Sequence, residues 1–314
     1  MATEPNHFCV LSRRENQARG IGQYAIDFLR KGEGKPSGEV ELRTEWFHTD
    51  SVACAIAALG EGATAPTLLR QEAMGYPAAD GQNGACVFGS FRKISPEKAV
   101  LANCSAVREL DANGTNFGYN PKLGNVAGEF GHNDFYPVVI AAAQQMGMDG
   151  RGALLGMICL DEIRGRLAEV FSLKSYKIDH VLHGAIASAA VYGAMLGATA
   201  EQIESAIGLV VAHYVPFRAI RHGEQLSDSK GASAAISSEV AVQSMRRAIR
   251  GFVGPADIFR NPQALFCLFQ KPDKAGESPF DLSLAMTGSD FAVMGMHFKG
   301  WDCTSTNGRG SLVG

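Results

Sequence analysis

The 314-residue chain has little net charge, −3 at pH 7, and its basic residues are scattered apart from one stretch, so it lacks the footprint of a nucleic-acid binder. It has no run of about 18 apolar residues, which argues against a membrane span. The amino-terminal residues MATEPNHFCVLSRREN contain neither a charged region leading into an apolar core nor an Arg/Ser-rich amphipathic stretch, and the cytoplasm is the expected compartment. Cysteine is sparse and unpaired: Cys9, Cys54, Cys86, Cys104, Cys159, Cys267 and Cys303 are odd in number, widely spaced and without a CxxC. That excludes the common zinc and redox motifs and points to free thiols in a reducing compartment. Walker, GxGxxG, HExxH and GxSxG sequences are all absent, which removes the usual signals for nucleotide binding, zinc proteolysis and hydrolase chemistry.

What the chain does have is apolar content: 46% of its residues are hydrophobic and 19% charged, enough to bury a large core. Apolar positions recur at helical spacing over residues 16–29, and further helices are expected at 50–59, 66–74, 95–110, 133–146, 150–171, 179–196, 200–212 and 229–250. Thr49 or Asp50 is expected to cap the second of these, after a short extended piece ELRTEWF. Ser95-Pro96-Glu97 and Thr199 with Gln202 are further start signals. The segment DHVLHGAIASAAVYGAMLG is almost uncharged and rich in small residues, so it belongs among other helices. Helices without alternating strands give a mainly α fold, an all-helical domain over residues 1–254 that extends, on an alternative boundary, through 270. A second unit is expected from 255 to 299, with DLSLAM and AVMGMHF as strands, and residues 300–314 read as a disordered tail.

Candidate chemistry sits where polar residues interrupt apolar or glycine-rich sequence. Arg218, Arg221, His222 and Lys230 fall within thirteen residues. They read either as a solvated basic loop or as an anion site, since arginine forks match carboxylates. Asp111 opens a loop, DANGTNFGYNPKLGNVAGEFG, that is long and irregular enough to be functional; it is a turn residue or a site acid. His132 closes that loop before a helix start, where it is a flanking structural residue or part of an anion site. His180 and His183 lie on the small-residue helix, where an imidazole needs a partner, and Asp179 either orients one of them or caps the helix. Glu162 reads as a buried acid paired with Arg164 or Arg166. Asp, His and Lys beside arginines are what proton transfer next to a carboxylate requires. The histidine spacing matches no metal motif.

These residues resemble, in order, the motifs of the MmgE/PrpD family. FRAIRHGEQLSDSKGASAA is similar to its R-x-x-R-H with a lysine eight residues on, DANGT to its D-x-x-D-T, His132 to the histidine of its G-H-P or T-H-P, Asp179-His180 to its D-H-V, and Glu162-Ile163 with Gly165 to its E-[IV]-x-G. The agreement runs from residue 95 to about 299. It implies an all-helical domain followed by an α+β lid, an active site in the cleft between them, a homodimer, and no metal or organic cofactor. The implied reaction is loss of water from a 2-methylcitrate-like tricarboxylate through a carbanion or enediolate; decarboxylation of a cis-aconitate-like substrate and epimerisation of a dicarboxylate are the sister activities. Carried over by position, Asp111, His132, His180 and Lys230 are catalytic, with Arg218, Arg221 and His222 binding substrate carboxylates. His132, oriented by Asp111, is the expected proton shuttle, and His180 or Lys230 the acid that helps the hydroxyl leave.

Three departures stand out. Gly114 replaces the second acid of D-x-x-D-T, the loop from Asp111 to His132 is longer than in the family pattern, and the pattern stops near Lys299. The last suggests a lid cut short by truncation or frameshift, with the alternative of a non-catalytic helical domain that dimerises with a full-length enzyme.

Overall fold

Helical periodicity accounts for most of the computed structural model, which describes residues 5–79, 84–114, 116–126, 128–221 and 227–298. His222 and the expected tail from 300 onward lie outside the described residues. In chain order the elements are β1 (His7–Leu11), α1 (Gln17–Leu29), β2 (Lys35–Pro36), α2 (Gly38–Gly60), α3 (Thr64–Met74), α4 (Pro96–Arg108), α5 (Tyr136–Met146), α6 (Gly150–Val170), α7 (Val181–Met195), α8 (Ala200–His213), α9 (Ser229–Ile249), α10 (Leu265–Phe269) and β3 (Leu282–Gly288). The fold is mainly α, as the sequence implies.

Start signals act where the spacing places them. The Asn16 side chain accepts the Arg19 amide at 3.1 Å, and Thr199 with Gln202 forms a complete capping box for α8. The second helix is the main correction. ELRTEWF is helical, α2 runs unbroken from Gly38, and Asp50 lies in mid-helix rather than at a cap. Its carboxylate serves a different purpose, accepting the Asn133 side-chain amide at 3.0 Å and the Gly114 backbone amide at 3.3 Å. A mid-helix carboxylate here pins the start of the 111–131 loop and the 3-10 turn that follows it.

Helix α7 is buried along its whole length and packs against α1, α5, α6, α8 and α9. Small side chains make this approach possible: a Cβ on Gly184 would overlap the Phe135 ring. Among the described residues no single helix is long and apolar enough to cross a membrane, and the six described cysteines are free.

Residues after 254 join the same core. β3 is the middle strand of a three-stranded sheet, antiparallel to β1 and parallel to β2. Phe259, Phe266 and Phe280 pack with Phe171 at the end of α6, Phe259 and Phe266 stacking at 4.4 Å. Glu162, buried in α6, accepts the backbone amides of Ala285 at 2.7 Å and Ala292 at 2.6 Å and pairs with Arg166 at 2.9 Å. The segment AVMGMHF, expected as a strand, instead holds a 3-10 turn at Ala292–Gly295. A short amino-terminal strand, not anticipated, supplies the pairing partner of β3.

The turn at 254–255 touches α8 backbone to backbone, and a Cβ on Gly208 would overlap the Pro255 carbonyl oxygen. Gly208→Ala is expected to lower stability by about 1–3 kcal/mol, read as a lower urea midpoint. Gly60→Ala, with nothing within 4 Å of the added carbon, is the control.

Candidate active site

The basic stretch begins where α8 ends. Residues 216–218 run beside 177–179: Asp179 donates its amide to the Pro216 carbonyl at 2.7 Å, and Arg218 donates its amide to the Lys177 carbonyl at 2.8 Å. This pairing brings the turn Arg218–Arg221 to the amino end of α7. The fully buried Asp179 carboxylate receives both Nε and Nη2 of Arg221, Nη2 lying 3.1 Å from Oδ1, and the same Nη2 donates to Ser233 Oγ at 2.8 Å. Asp179 also accepts the Val181 amide at 3.2 Å, so it caps α7 and holds the arginine together. Arg218, by contrast, makes no side-chain hydrogen bond among the described residues.

A second cluster lies across from it. Asp111, in the left-handed region at φ 53°, is gripped by Arg108 Nη1 on one oxygen and lies 3.3 Å from Lys230 Nζ on the other. Arg108 Nε is 3.4 Å from Asp134 Oδ2, an ion-pair distance without hydrogen-bond alignment, and Asn113 Nδ2 donates to Asp134 Oδ1 at 2.5 Å. Burial works to lower the Arg108 pKa, but Asp111 and Asp134 outweigh it and raise it. Burial raises the Asp134 pKa against the opposing pull of Arg108 and Arg164.

His132 is fully buried and sits in a 3-10 turn, His132–Phe135. Its Nδ1 lies 3.3 and 3.4 Å from the two oxygens of Asp161, which also accepts the Tyr136 hydroxyl at 2.5 Å. Asp161, not Asp111, is therefore the residue that orients it. Phe47 meets the imidazole edge-to-face at 4.2 Å and is itself stacked by Phe298 at 4.3 Å. Nε2 makes no protein hydrogen bond. The adjacent Cδ2 edge faces Gly114, where an added Cβ would come within 3.2 Å of it and 3.1 Å of the His132 amide. Gly114 has φ 58°, a left-handed backbone that glycine adopts without strain, and its close neighbours leave little room for a side chain. Arg164 fixes the turn by donating Nη1 to the carbonyls of Gly131 at 2.6 Å and His132 at 2.9 Å.

His180 stands at the head of α7, and burial with the guanidiniums of Arg221, Arg164, Arg108 and Arg218 pushes its pKa well below that of free imidazole. It is neutral at pH 7, and its Nε2 makes no protein hydrogen bond. Three residues on, burial aided by Arg164 pushes His183 down to about 3. Its Nδ1 is 3.8 Å from Glu129 Oε2, and burial raises Glu129 to about 8 against the pull of Arg164. The proton of this pair thus resides on the acid. Among the described residues, no three His, Cys, Asp or Glu side chains are grouped as a metal site.

The chain matches the model of the MmgE/PrpD N-terminal domain over residues 33–277. It belongs to the MmgE/PrpD family. Relatives of this MmgE/PrpD chain include 2-methylcitrate dehydratases from Salmonella typhi, 29% identical over 174 residues, and from Escherichia coli strain K12, 28% identical over 174 residues. A mitochondrial 2-methylcitrate dehydratase of Yarrowia lipolytica is 29% identical over 172 residues. The two bacterial matches cover 55% of this chain and 36% of each relative, and the Yarrowia match covers 51% and 31%. The chain therefore matches only about a third of the length of these curated relatives.

The structure thus brings Asp111 to Lys230 and Arg221 to Asp179 beside His180, with His132 on a separate carboxylate. Sequence reasoning missed Arg108, Asp134, Asp161 and Glu129. A signal existed for two of them: Arg108 is three residues before Asp111 at a helix end, and Asp161 interrupts the apolar run GMICLDEI.

Glu129 also makes stability depend on pH. Below 4.5 both folded and unfolded chains hold its proton; between 4.5 and about 8 only the folded chain does. Stability is therefore lost as the pH rises through this window and levels off above it. Glu129→Gln is expected to remove that loss, so denaturant unfolding should show the variant gaining on the native chain between pH 5 and pH 8.

Proposed function

We propose that this chain carries the polycarboxylate site and the base of a hydro-lyase that removes water from a 2-methylcitrate-like tricarboxylate. The observation that carries the proposal is the cation cluster: Arg108, Arg164, Arg218 and Arg221 around neutral His180, with Lys230 at Asp111, are five cations against the four carboxylates of Asp111, Asp134, Asp161 and Asp179. A small polyanion balances that excess, and the uncommitted Arg218 head is its first docking point, joined by Arg221 and His222. The 2-methylcitrate dehydratases among its relatives support this substrate class.

Removing a proton beside a carboxylate places a second negative charge on that group as the enediolate forms. Fixed cations stabilise it by about 3–4 kcal/mol for each well-placed donor. Lys230, held by Asp111, fills this role. Each histidine has a carboxylate behind its Nδ1, but Asp179, 3.5 Å from His180, is already engaged by Arg221, and four arginines oppose a proton there. Asp161, 3.3 Å from His132, is held by no arginine hydrogen bond among the described residues and favours the imidazolium that forms. His132 Nε2 therefore takes the proton, and His180 offers a neutral hydrogen-bonding imidazole to the substrate.

Incubating the purified chain with 2-methylcitrate should yield an unsaturated tricarboxylate and water. Release of CO₂ from cis-aconitate, or epimerisation of a dicarboxylate, would instead assign a sister activity. No turnover and no calorimetric binding of any of these acids would leave the non-catalytic helical partner as the better reading.

A further inference from the structure

Elimination needs an acid as well as a base, and the groups described so far leave that role empty. Hydroxide is a poor leaving group, so the departing oxygen must receive a proton as the C–O bond breaks. His180 carries no proton to spare at Nε2 as an imidazolium, because its surroundings keep it neutral. Lys230 would forfeit by donation the positive charge that the enediolate needs.

Glu129 lies in the long loop that departs from the family pattern, yet it is 1% exposed. Two features put it there. Its backbone exchanges two hydrogen bonds of 2.8 Å with Phe117, and Arg164 clamps the carbonyls of Phe130, Gly131 and His132 immediately after it. Neither carboxyl oxygen has a hydrogen-bond partner, and His183, whose Nδ1 lies 3.8 Å from Oε2, has none on either nitrogen. Buried polar atoms are rarely left in this condition unless another molecule completes them. His183 is one helical step of three residues from His180, so both rings lie on the same side of α7. The charged and titratable groups facing Glu129 are Arg164 from α6, Lys174 from the turn after it, Asp179 and His183 at the start of α7, and Arg218 from the turn beyond α8. Asp179 and Arg218 belong to the proposed carboxylate site.

We infer that Glu129 is the proton donor for the leaving hydroxyl, a role that rests on the hydro-lyase reading. His132 takes the proton from the carbon next to the carboxylate, and the C–H electron pair forms the enediolate. The enediolate collapses to the C=C bond, the C–O bond breaks, and the oxygen leaves as water with the proton of Glu129. His132 returns its proton to solvent and Glu129 recovers one from solvent, so the net change is loss of one water. A carboxyl that keeps its proton to about pH 8 is in the right form at neutral pH, as a solvent-exposed glutamate is not.

The test separates the two half-reactions. In D₂O, Glu129→Gln should still exchange the substrate C–H for deuterium at close to the native rate, because His132 is intact, while elimination falls about 10²-fold. The alkaline limb of the native kcat profile near pH 8 should vanish in the variant. Elimination at the native rate overturns the inference; so does parallel loss of exchange and elimination, which marks a structural role. If the native chain neither exchanges nor eliminates with 2-methylcitrate, cis-aconitate or a dicarboxylate, the hydro-lyase reading itself fails, and with it the step assigned here.

Discussion

His132→Gln is expected to lower kcat by about 10²–10⁴-fold, the usual worth of a positioned acid/base group, with little change in KM or in thermal midpoint. Glutamine fills nearly the same space and retains an amide to face Asp161, so the Phe47 contact and the Asp161–Tyr136 hydrogen bond should persist. Deuterium exchange into substrate should fall in parallel with turnover, in contrast to Glu129→Gln. Asp161→Asn should give an intermediate loss, because it removes the charge that stabilises the imidazolium but leaves the ring in place. A His132 variant with native exchange would move the base to His180, whose Nε2 is equally free of protein partners.

Asp179→Ala is expected to cost about 3–5 kcal/mol of stability, the range for breaking a buried ion pair by removing one partner. Asp179 is fully buried and the Arg221 side chain nearly so, so the change leaves the guanidinium with Ser233 as its hydrogen-bond partner among the described residues and removes the acceptor of the Val181 amide at the start of α7. Arg221→Ala should cost a comparable amount and leave an unpaired buried carboxylate. Denaturant unfolding at pH 7 measures both. The double variant should lose less than the sum of the two single losses, because each single change already abolishes the pair. A pair worth no more than a surface ion pair, about 1 kcal/mol or less, would remove Asp179 as the anchor of the 218–221 turn.

The helices were legible because their signals are local. Spacing, the Thr199–Gln202 capping box and the near absence of charge in α7 each depend on a few neighbouring residues, and these survive in the structure, whereas the cap expected at Thr49 or Asp50 does not. α2 was misread at its start because ELRTEWF alternates in a strand-like way, while its burial is dictated by partners distant in sequence, chiefly Pro96–Arg108 and then Gly150–Val170. The pairing of His132 with Asp161 was invisible for the same reason: 29 residues and a helix separate them. Family order placed Asp111, Lys230, His180 and Arg221 in one list, but only geometry shows which carboxylate each cation holds. Glu129 was hidden among glycines, since composition reads such a segment as exposed loop.

The sheet adds a point about how the chain assembles. Its central strand, β3, is the last of the three to be synthesised, and its two neighbours come from residues 7–11 and 35–36. Those early strands emerge from the ribosome some 250 residues before their partner, and residues 7–11 cannot pair with residues 35–36 directly because β3 must lie between them. The helices from α3 to α9 can therefore gather around α7 first, with β1 waiting as an unpaired edge until residue 288 appears. Contacts closed over so long a stretch of chain favour late formation of the sheet, after the local helical contacts.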